Sequence, residues 1–305
     1  RRSRFVFSHM GPGMERTSLR YECMAEFIGT YILVFFGVGS VHTAVLLGGQ
    51  QGIWQVGVVW AVAISLAIYA VGAVSGAHIN PAITVSFAIF RKFPNRKIPF
   101  YVVAQVLGAF AAAATLYGLF HNVIAAFELE NGIVRGAAGS ELSAMVYGEY
   151  YPNPAMLGSK FREFAGATVT HTQAMFAEGI GTAFLAFFVH AVTDVRNPER
   201  PHSGLFAPFI GLTVAIVISI VAPLTQAGLN PARDFGPRLF ALCAGWGPIA
   251  LPGPRESYSF FTVYILAPIM GAIVGAAIYD LVVRQGIIFV NEAEDDKPLR
   301  EEEHT

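Results

Sequence analysis

Charge is scarce in this chain. Only 13% of its 305 residues are Asp, Glu, Lys or Arg, against about a quarter in an ordinary globular domain. Water is a poor solvent for such a surface, and the mean hydropathy of +0.53 agrees. The net charge of -1 provides neither a basic face for nucleic acid nor a strong field for an acidic partner. Cysteine is nearly missing. Cys23 and Cys243 lie in apolar segments and are expected to be buried small hydrophobes, not a disulfide framework. The eight histidines are scattered, with no HExxH, phosphate loop or Cys/His ligand spacing. "GAVSGAH" is not a nucleophile elbow. Enzyme chemistry, a metal centre and a cofactor are therefore not expected. The opening "RRSRFVFSHMGPGMERTSLRYE" is polar and basic and lacks a cleavable signal pattern.

What the chain does have is hydrocarbon, 54% of its residues. Six long apolar segments run roughly 22–46, 53–75, 98–126, 173–193, 205–224 and 258–283. Crossing a bilayer takes about 20 helical residues. A lipid-exposed backbone must satisfy its own hydrogen bonds, so each segment reads as a helix. Two shorter apolar stretches, near 80–90 and 230–242, cannot cross and read as re-entrant half-helices. The expected fold is an all-α membrane protein with six transmembrane helices and two half-helices. Basic residues before the first span, between 91 and 97, and at Arg196 and Arg200 set both termini on the cytoplasmic side. The expected organisation is a cytoplasmic tail at 1–21, a channel domain at 22–284 and a polar cytoplasmic tail at 285–305.

The channel domain carries a duplication. "AEFIGTYILVFFG" at 25–37 resembles "AEGIGTAFLAFFV" at 177–189, and Asn80 and Asn230 are displaced by almost the same interval. Each half, about 22–126 and 173–284, holds three spans, so the second is inserted upside down. Inverted repeats place a functional site near the midplane, between the halves. The long connection at 127–170 is expected to be an extracellular surface loop.

Asn-Pro-Ala occurs three times. Asn80-Pro81-Ala82 and Asn230-Pro231-Ala232 each open a short apolar helix at matching places in the repeat; Asn153-Pro154-Ala155 does neither and reads as a turn in the long loop. Asparagine is a natural N-cap, and proline is tolerated at the first helical position. Two such starts meeting at midplane would point two amide donors into a lumen. Their helix ends add positive potential that repels cations and breaks a proton wire. Gly76, Ala77, His78 and Ile79, with Gln226, Ala227, Gly228 and Leu229, can turn backbone carbonyls to the lumen. Acceptors on one wall and hydrocarbon on the other suit a polyol or water. Glu26 and Glu178 are related by the repeat and would brace these segments by accepting their N–H groups.

"SGAHINPAITV" and "GLNPARDFGPRLF", with six spans and two inverted halves, resemble the major intrinsic proteins, the aquaporin family. Asp234, "GAFAAAATLYGLF" and "GWG" resemble the glycerol-facilitator branch, the aquaglyceroporins. The resemblance implies a constriction of Trp60, Ile218, Ala227 and Arg233, with the Arg233 charge met by carbonyls and lumen water. It implies that Asp234 draws the neighbouring loop toward Arg238 and widens that end. Ile218 departs from the histidine of water-only channels, and Ala227 from the phenylalanine of bacterial glycerol facilitators. Trp, Ile, Ala and Arg together are closer to plant nodulin-type channels. Phe120, Asp234, Arg238 and Ile265 are glycerol-type at the branch-marking positions, whereas Tyr264 is water-type. The resemblance further implies a homotetramer in a lipid bilayer, at the plasma membrane, with one pore per subunit.

The expected activity is passive conduction of glycerol, water and other small neutral solutes, with ions and protons excluded. A water-selective channel stays open. So does an ion-coupled secondary transporter, for which Glu26 and Glu178 are the intramembrane candidates. A junction protein finds no support in the loops outside the membrane.

Overall fold

The computed structural model describes residues 18–157, 169–251 and 259–295. The described residues are helical, without a strand. Six helices are long and apolar enough to cross a membrane: Leu19–Leu47, Ile53–Ser75, Ile98–Glu130, His171–Thr193, Phe206–Thr225 and Ser259–Glu292. They are called spans one to six. The half-helices are Pro81–Phe90 and Pro231–Ala241.

Local signals explain the boundaries. Span one stops at Gly48 and span two at Gly76, both left-handed, a backbone region that costs glycine little. Span four opens with a capping box between Thr170 and Gln173. The duplication reappears as packing. Span one lies against span three, and span four against span six, while spans two and five join the halves. Each half-helix packs into the opposite repeat, the first on span six and the second on span three. Large apolar side chains such as Leu66, Val103, Ile216 and Ile220 remain exposed on the outer faces. A surface like that needs lipid or another subunit against it.

Four expectations change. Cys23 is half-buried and Cys243 is exposed, so neither is a core residue. Span six does not end near 283 but continues helically to Asp295, and Asn291 Nδ2 donates to the Arg196 carbonyl at 3.2 Å. The ends of both expected tails, 1–17 and 296–305, lie outside the described residues, as do 158–168 of the long connection.

That connection is not a plain surface loop. From Ser140 to Asn153 nearly every described residue is buried. Tyr147 packs edge-on against His42 and Trp246, at 4.7 and 5.4 Å between ring centroids, and Tyr150 Oη donates to the Ile249 carbonyl at 2.9 Å. Its aromatic rings supply apolar area and its polar groups find partners far along the chain, which local composition does not reveal. The third Asn-Pro-Ala is also more than a turn. Asn153 Oδ1 accepts from Ala155 N at 3.0 Å and opens the one-turn helix Pro154–Leu157. Its amide donates to the Ala222 carbonyl at 2.7 Å and seats the loop on span five. The same N-cap chemistry here serves a docking contact of the long loop on span five.

Candidate functional site

The half-helices meet at their amino ends. Asn80 Oδ1 accepts from Ala82 N at 2.8 Å, and Asn230 Oδ1 accepts from Ala232 N at 3.0 Å and Arg233 N at 3.3 Å. Pro81 and Pro231 occupy the first helical positions, with Ala82 and Ala232 buried behind them. The two amides are not wholly free. Asn80 Nδ2 donates to the Leu229 carbonyl at 3.0 Å, and Asn230 Nδ2 donates to the Ile79 carbonyl at 2.8 Å. Each NH2 has two hydrogens, so one ties the halves together and one is left over. The reciprocal pair of bonds is the physical join of the inverted repeat.

The segments that precede them carry unusual backbone. Ala77 and Ile79 have φ of 49° and 43°; Gln226, Ala227 and Leu229 have φ of 67°, 63° and 53°. Non-glycine residues there cost on the order of 1–3 kcal/mol each and persist only where the surroundings hold them. Two buried carboxylates do so. Glu26 accepts from His78 N at 2.9 Å, Ile79 N at 2.7 Å, Ser75 Oγ at 2.6 Å and Gln105 Nε2 at 2.8 Å. Glu178 accepts from Gly228 N at 3.0 Å, Leu229 N at 2.8 Å and Thr225 Oγ1 at 2.6 Å. Sequence reasoning missed Ser75, Thr225 and Gln105. Ser75 and Thr225 were findable, because each directly precedes its segment at equivalent places in the repeat.

A cavity open to solvent lies beside this junction. Part of its lining is hydrocarbon, including Ile64, Ile68, Leu185, Val189, Val214 and Ile218. The rest includes Gly76, Ala77, His78, Ile79, Ala227, Gly228 and Leu229, with Asn80, Asn230 and Arg233. Gln226, the eighth residue expected on the polar wall, is not part of it. Its side chain turns to the long loop instead, accepting from Tyr150 N at 2.8 Å and donating to the Met145 carbonyl at 3.1 Å. Gly228 has no room for a side chain. A Cβ there would lie 2.8 Å from the Tyr264 ring and 3.4 Å from Glu178 Oε2.

Trp60, Ile218, Ala227 and Arg233 all line this cavity. The Arg233 guanidinium lies over the Trp60 indole, 4.8 Å from the ring centroid, a contact worth about 2 kcal/mol or more when desolvated. Its charge is not left to carbonyls and water. Arg233 Nη1 donates to the Tyr147 carbonyl at 3.2 Å, and Nη2 is ion-paired with the carboxylate of Glu149. That acid has no local sequence signal, since the long loop brings it in from a distant part of the chain. Behind it, Asp234 Oδ1 accepts from Glu149 N at 2.8 Å while Oδ2 accepts from Arg238 Nε at 2.7 Å. Arg238 also donates to the carbonyls of Ala250, at 2.9 Å, and Glu149.

The branch-marking residues do not line the cavity. Phe120 rests on His42, with ring centroids 5.1 Å apart. Tyr264 Oη donates to the Thr225 carbonyl at 3.1 Å, and the Arg238 guanidinium lies over its ring at 5.2 Å. Ile265 is half-buried beside it. Asp234 and Arg238 are fully buried. Asp234, Arg238 and Tyr264 brace the segments that line the cavity.

Comparison with known proteins agrees with this geometry. A profile of the family Major intrinsic protein matches residues 14–279. The chain is 42% identical over 266 residues to the glycerol uptake facilitator protein of Pseudomonas aeruginosa, covering 87% of this chain and 90% of that one. It is 41% identical over 267 residues to the Escherichia coli K12 protein of the same name, covering 87% and 89%. The propanediol uptake facilitator PduF of Citrobacter freundii is 40% identical over 264 residues, covering 86% and 91%. Among solved structures, the aquaglyceroporin from Plasmodium falciparum superposes with a TM-score of 0.73 at 26% identity, covering 89% of this chain and 100% of that one.

Proposed function

The chain belongs to the major intrinsic protein family, and from that premise we propose a passive transmembrane channel for glycerol and related small neutral solutes, with water. It is an integral membrane protein and not an enzyme. The observation that carries this reading is the cavity beside the joined half-helices, lined by both hydrocarbon and polar residues. Hydrocarbon accepts the carbon backbone of a polyol, and the carbonyl and amide wall replaces the hydrogen bonds its hydroxyls leave in water.

Asn80 and Asn230 are the central donors. Each spends one amide hydrogen on the opposite carbonyl and keeps the second for a passing oxygen. The helix ends behind them carry about half an elementary charge each, which disfavours cations and orients water away from a continuous proton wire. Trp60, Ile218, Ala227 and Arg233 form the selectivity constriction. The side chains of Ile218 and Ala227 offer no hydrogen bond there, so CH groups pass without displacing water bound to them. The Asp234–Arg238 clamp holds the long loop back and keeps that end wide.

Glu26 and Glu178 brace the polar wall. With their oxygens already accepting backbone and side-chain donors, they are poor sites for a coupling ion. We place residues 22–284 as one channel domain of two repeats, with both termini cytoplasmic in the plasma membrane. The exposed apolar faces fit lipid and a homotetramer of parallel pores.

Stopped-flow light scattering on proteoliposomes tests the reading. Glycerol should enter faster than into empty vesicles, without saturation by, or dependence on, an ion gradient. Water flux without glycerol flux would make the channel water-selective. Side-chain volume tests the constriction, since one methylene in a fitted site is worth about 10–200-fold in discrimination. Ile218→Gly should speed larger polyols by roughly tenfold, and Ala227→Phe should slow glycerol comparably. An unchanged solute profile in both variants would place the constriction elsewhere.

A further inference from the structure

The Arg233 guanidinium has a countercharge that lies outside the cavity lining. Glu149 is fully buried behind it, and its contact with Nη2 is an ion pair without aligned hydrogen-bond geometry. Neither Glu149 oxygen has a hydrogen bond among the described residues. Its backbone, by contrast, is held from both sides, the N–H by Asp234 and the carbonyl by Arg238. The carboxylate is therefore delivered to Arg233 by a rigid peptide and not by a flexible surface side chain.

We propose that Glu149 is a specificity-determining positioning residue of this pore: its carboxylate neutralises the Arg233 guanidinium and holds it against the loop-side wall. With Glu149 balancing the charge and the Tyr147 carbonyl accepting one of the five guanidinium hydrogens, the others are left for whatever oxygen passes. Without the carboxylate, the guanidinium keeps its full charge and one fewer tether. It swings toward the lumen, narrows the constriction and grips hydroxyls more strongly. Glycerol, larger and richer in hydroxyls, is slowed more than water.

The charge state of Glu149 is set locally. The second half-helix faces it with Arg233, Asp234 and Arg238, span four with Glu178, and span six with Tyr264. Gly228 packs against its side chain, where a Cβ would lie 3.6 Å from Cγ. Burial pushes the carboxyl up to about 8 against the opposing pull of Arg233, with Asp234 and Glu178 adding to the rise. The acid is thus neutral below that pH and charged above it. The tethered, neutral pair exists on the alkaline side, and acidification removes it.

This inference rests on the channel reading, and the experiment separates the two. Wild type, Glu149→Gln and Glu149→Asp are reconstituted, with glycerol and water permeabilities measured separately at about pH 6 and about pH 10, both sides equilibrated. Wild-type glycerol permeability relative to water should fall by about fivefold from the alkaline to the acid condition. Glu149→Gln should show the low ratio at both, and Glu149→Asp should restore the pH dependence. If wild type passes glycerol with a pH-independent ratio, or if Glu149→Gln retains the wild-type ratio, the inference is overturned and the channel reading stands. If wild type passes no glycerol, the channel reading fails first. Should Glu149→Gln not fold, the wild-type and Glu149→Asp profiles decide. Equal loss of both permeabilities in Glu149→Gln would mark a merely structural residue and also overturn the proposal.

Discussion

Gly275→Leu should yield no monodisperse protein on detergent extraction. Gly275 sits where span six crosses span four. A Cβ there would overlap the Ala183 carbonyl oxygen, 2.6 Å from its carbonyl carbon and 2.8 Å from its Cα. These are backbone atoms of a packed helix and cannot rotate aside. The two spans would have to separate along their length, and their pairing is among the heaviest in the fold. Extra methylenes in a compliant core cost about 1–3 kcal/mol. Against backbone the cost is at the upper end or beyond, comparable with the whole margin of a folded domain. The control is Gly286→Ala, in the same continuous helix but with nothing within 4 Å of the new carbon. It should extract normally and gain roughly 0.5–1 kcal/mol from helix propensity. Fluorescence-detected size exclusion reads both. A sharp wild-type peak from Gly275→Leu would mean that spans four and six are not in backbone contact.

Glu26→Leu should cost nearly as much, by a different route. The substitution keeps the bulk and removes the acceptor of four donors: two backbone N–H groups, a hydroxyl and an amide. A buried donor left unsatisfied costs about 1–3 kcal/mol. Four of them, partly able to relax, amount to roughly 4 kcal/mol or more. The left-handed residues Ala77 and Ile79 then lose what holds them, so the polar wall of the cavity deforms as well. Glu178→Leu orphans three donors and should be destabilised less. Glu26→Gln should fall between wild type and Glu26→Leu, because its amide faces a donor with a donor on one side only. Thermal unfolding in detergent should place wild type highest and Glu26→Leu lowest, with Glu26→Gln and Glu178→Leu between them, and with glycerol and water flux lost together in Glu26→Leu. A Glu26→Leu protein that melts with wild type would rule out the bracing role.

Much of the site was legible beforehand because it is repeated. One Asn-Pro-Ala before a short apolar run is an ordinary helix start. Two of them, displaced like Glu26 and Glu178, mark a paired structure. What stayed hidden were contacts between segments with no common pattern. Glu149 lies in a loop of tyrosines and small residues and carries no sign of its partner. The same holds for Gln105 beneath Glu26 and for Gln226, whose side chain holds the long loop while its neighbours line the cavity. The buried course of that loop is hidden for the same reason, since a polar, aromatic composition describes a surface and a docked segment equally well.

The amino-acid sequence alone determined the number of spans, the half-helices and the inverted duplication, because the cost of exposing a backbone or a charge to hydrocarbon acts residue by residue along the chain. Only the tertiary structure decided what neutralises Arg233, where the Asn80 and Asn230 amides spend their hydrogens, and which wall each side chain faces. Those are pairings between groups remote in the chain, and a hydrogen bond or ion pair depends on a few tenths of an ångström and an angle that no one-dimensional pattern contains.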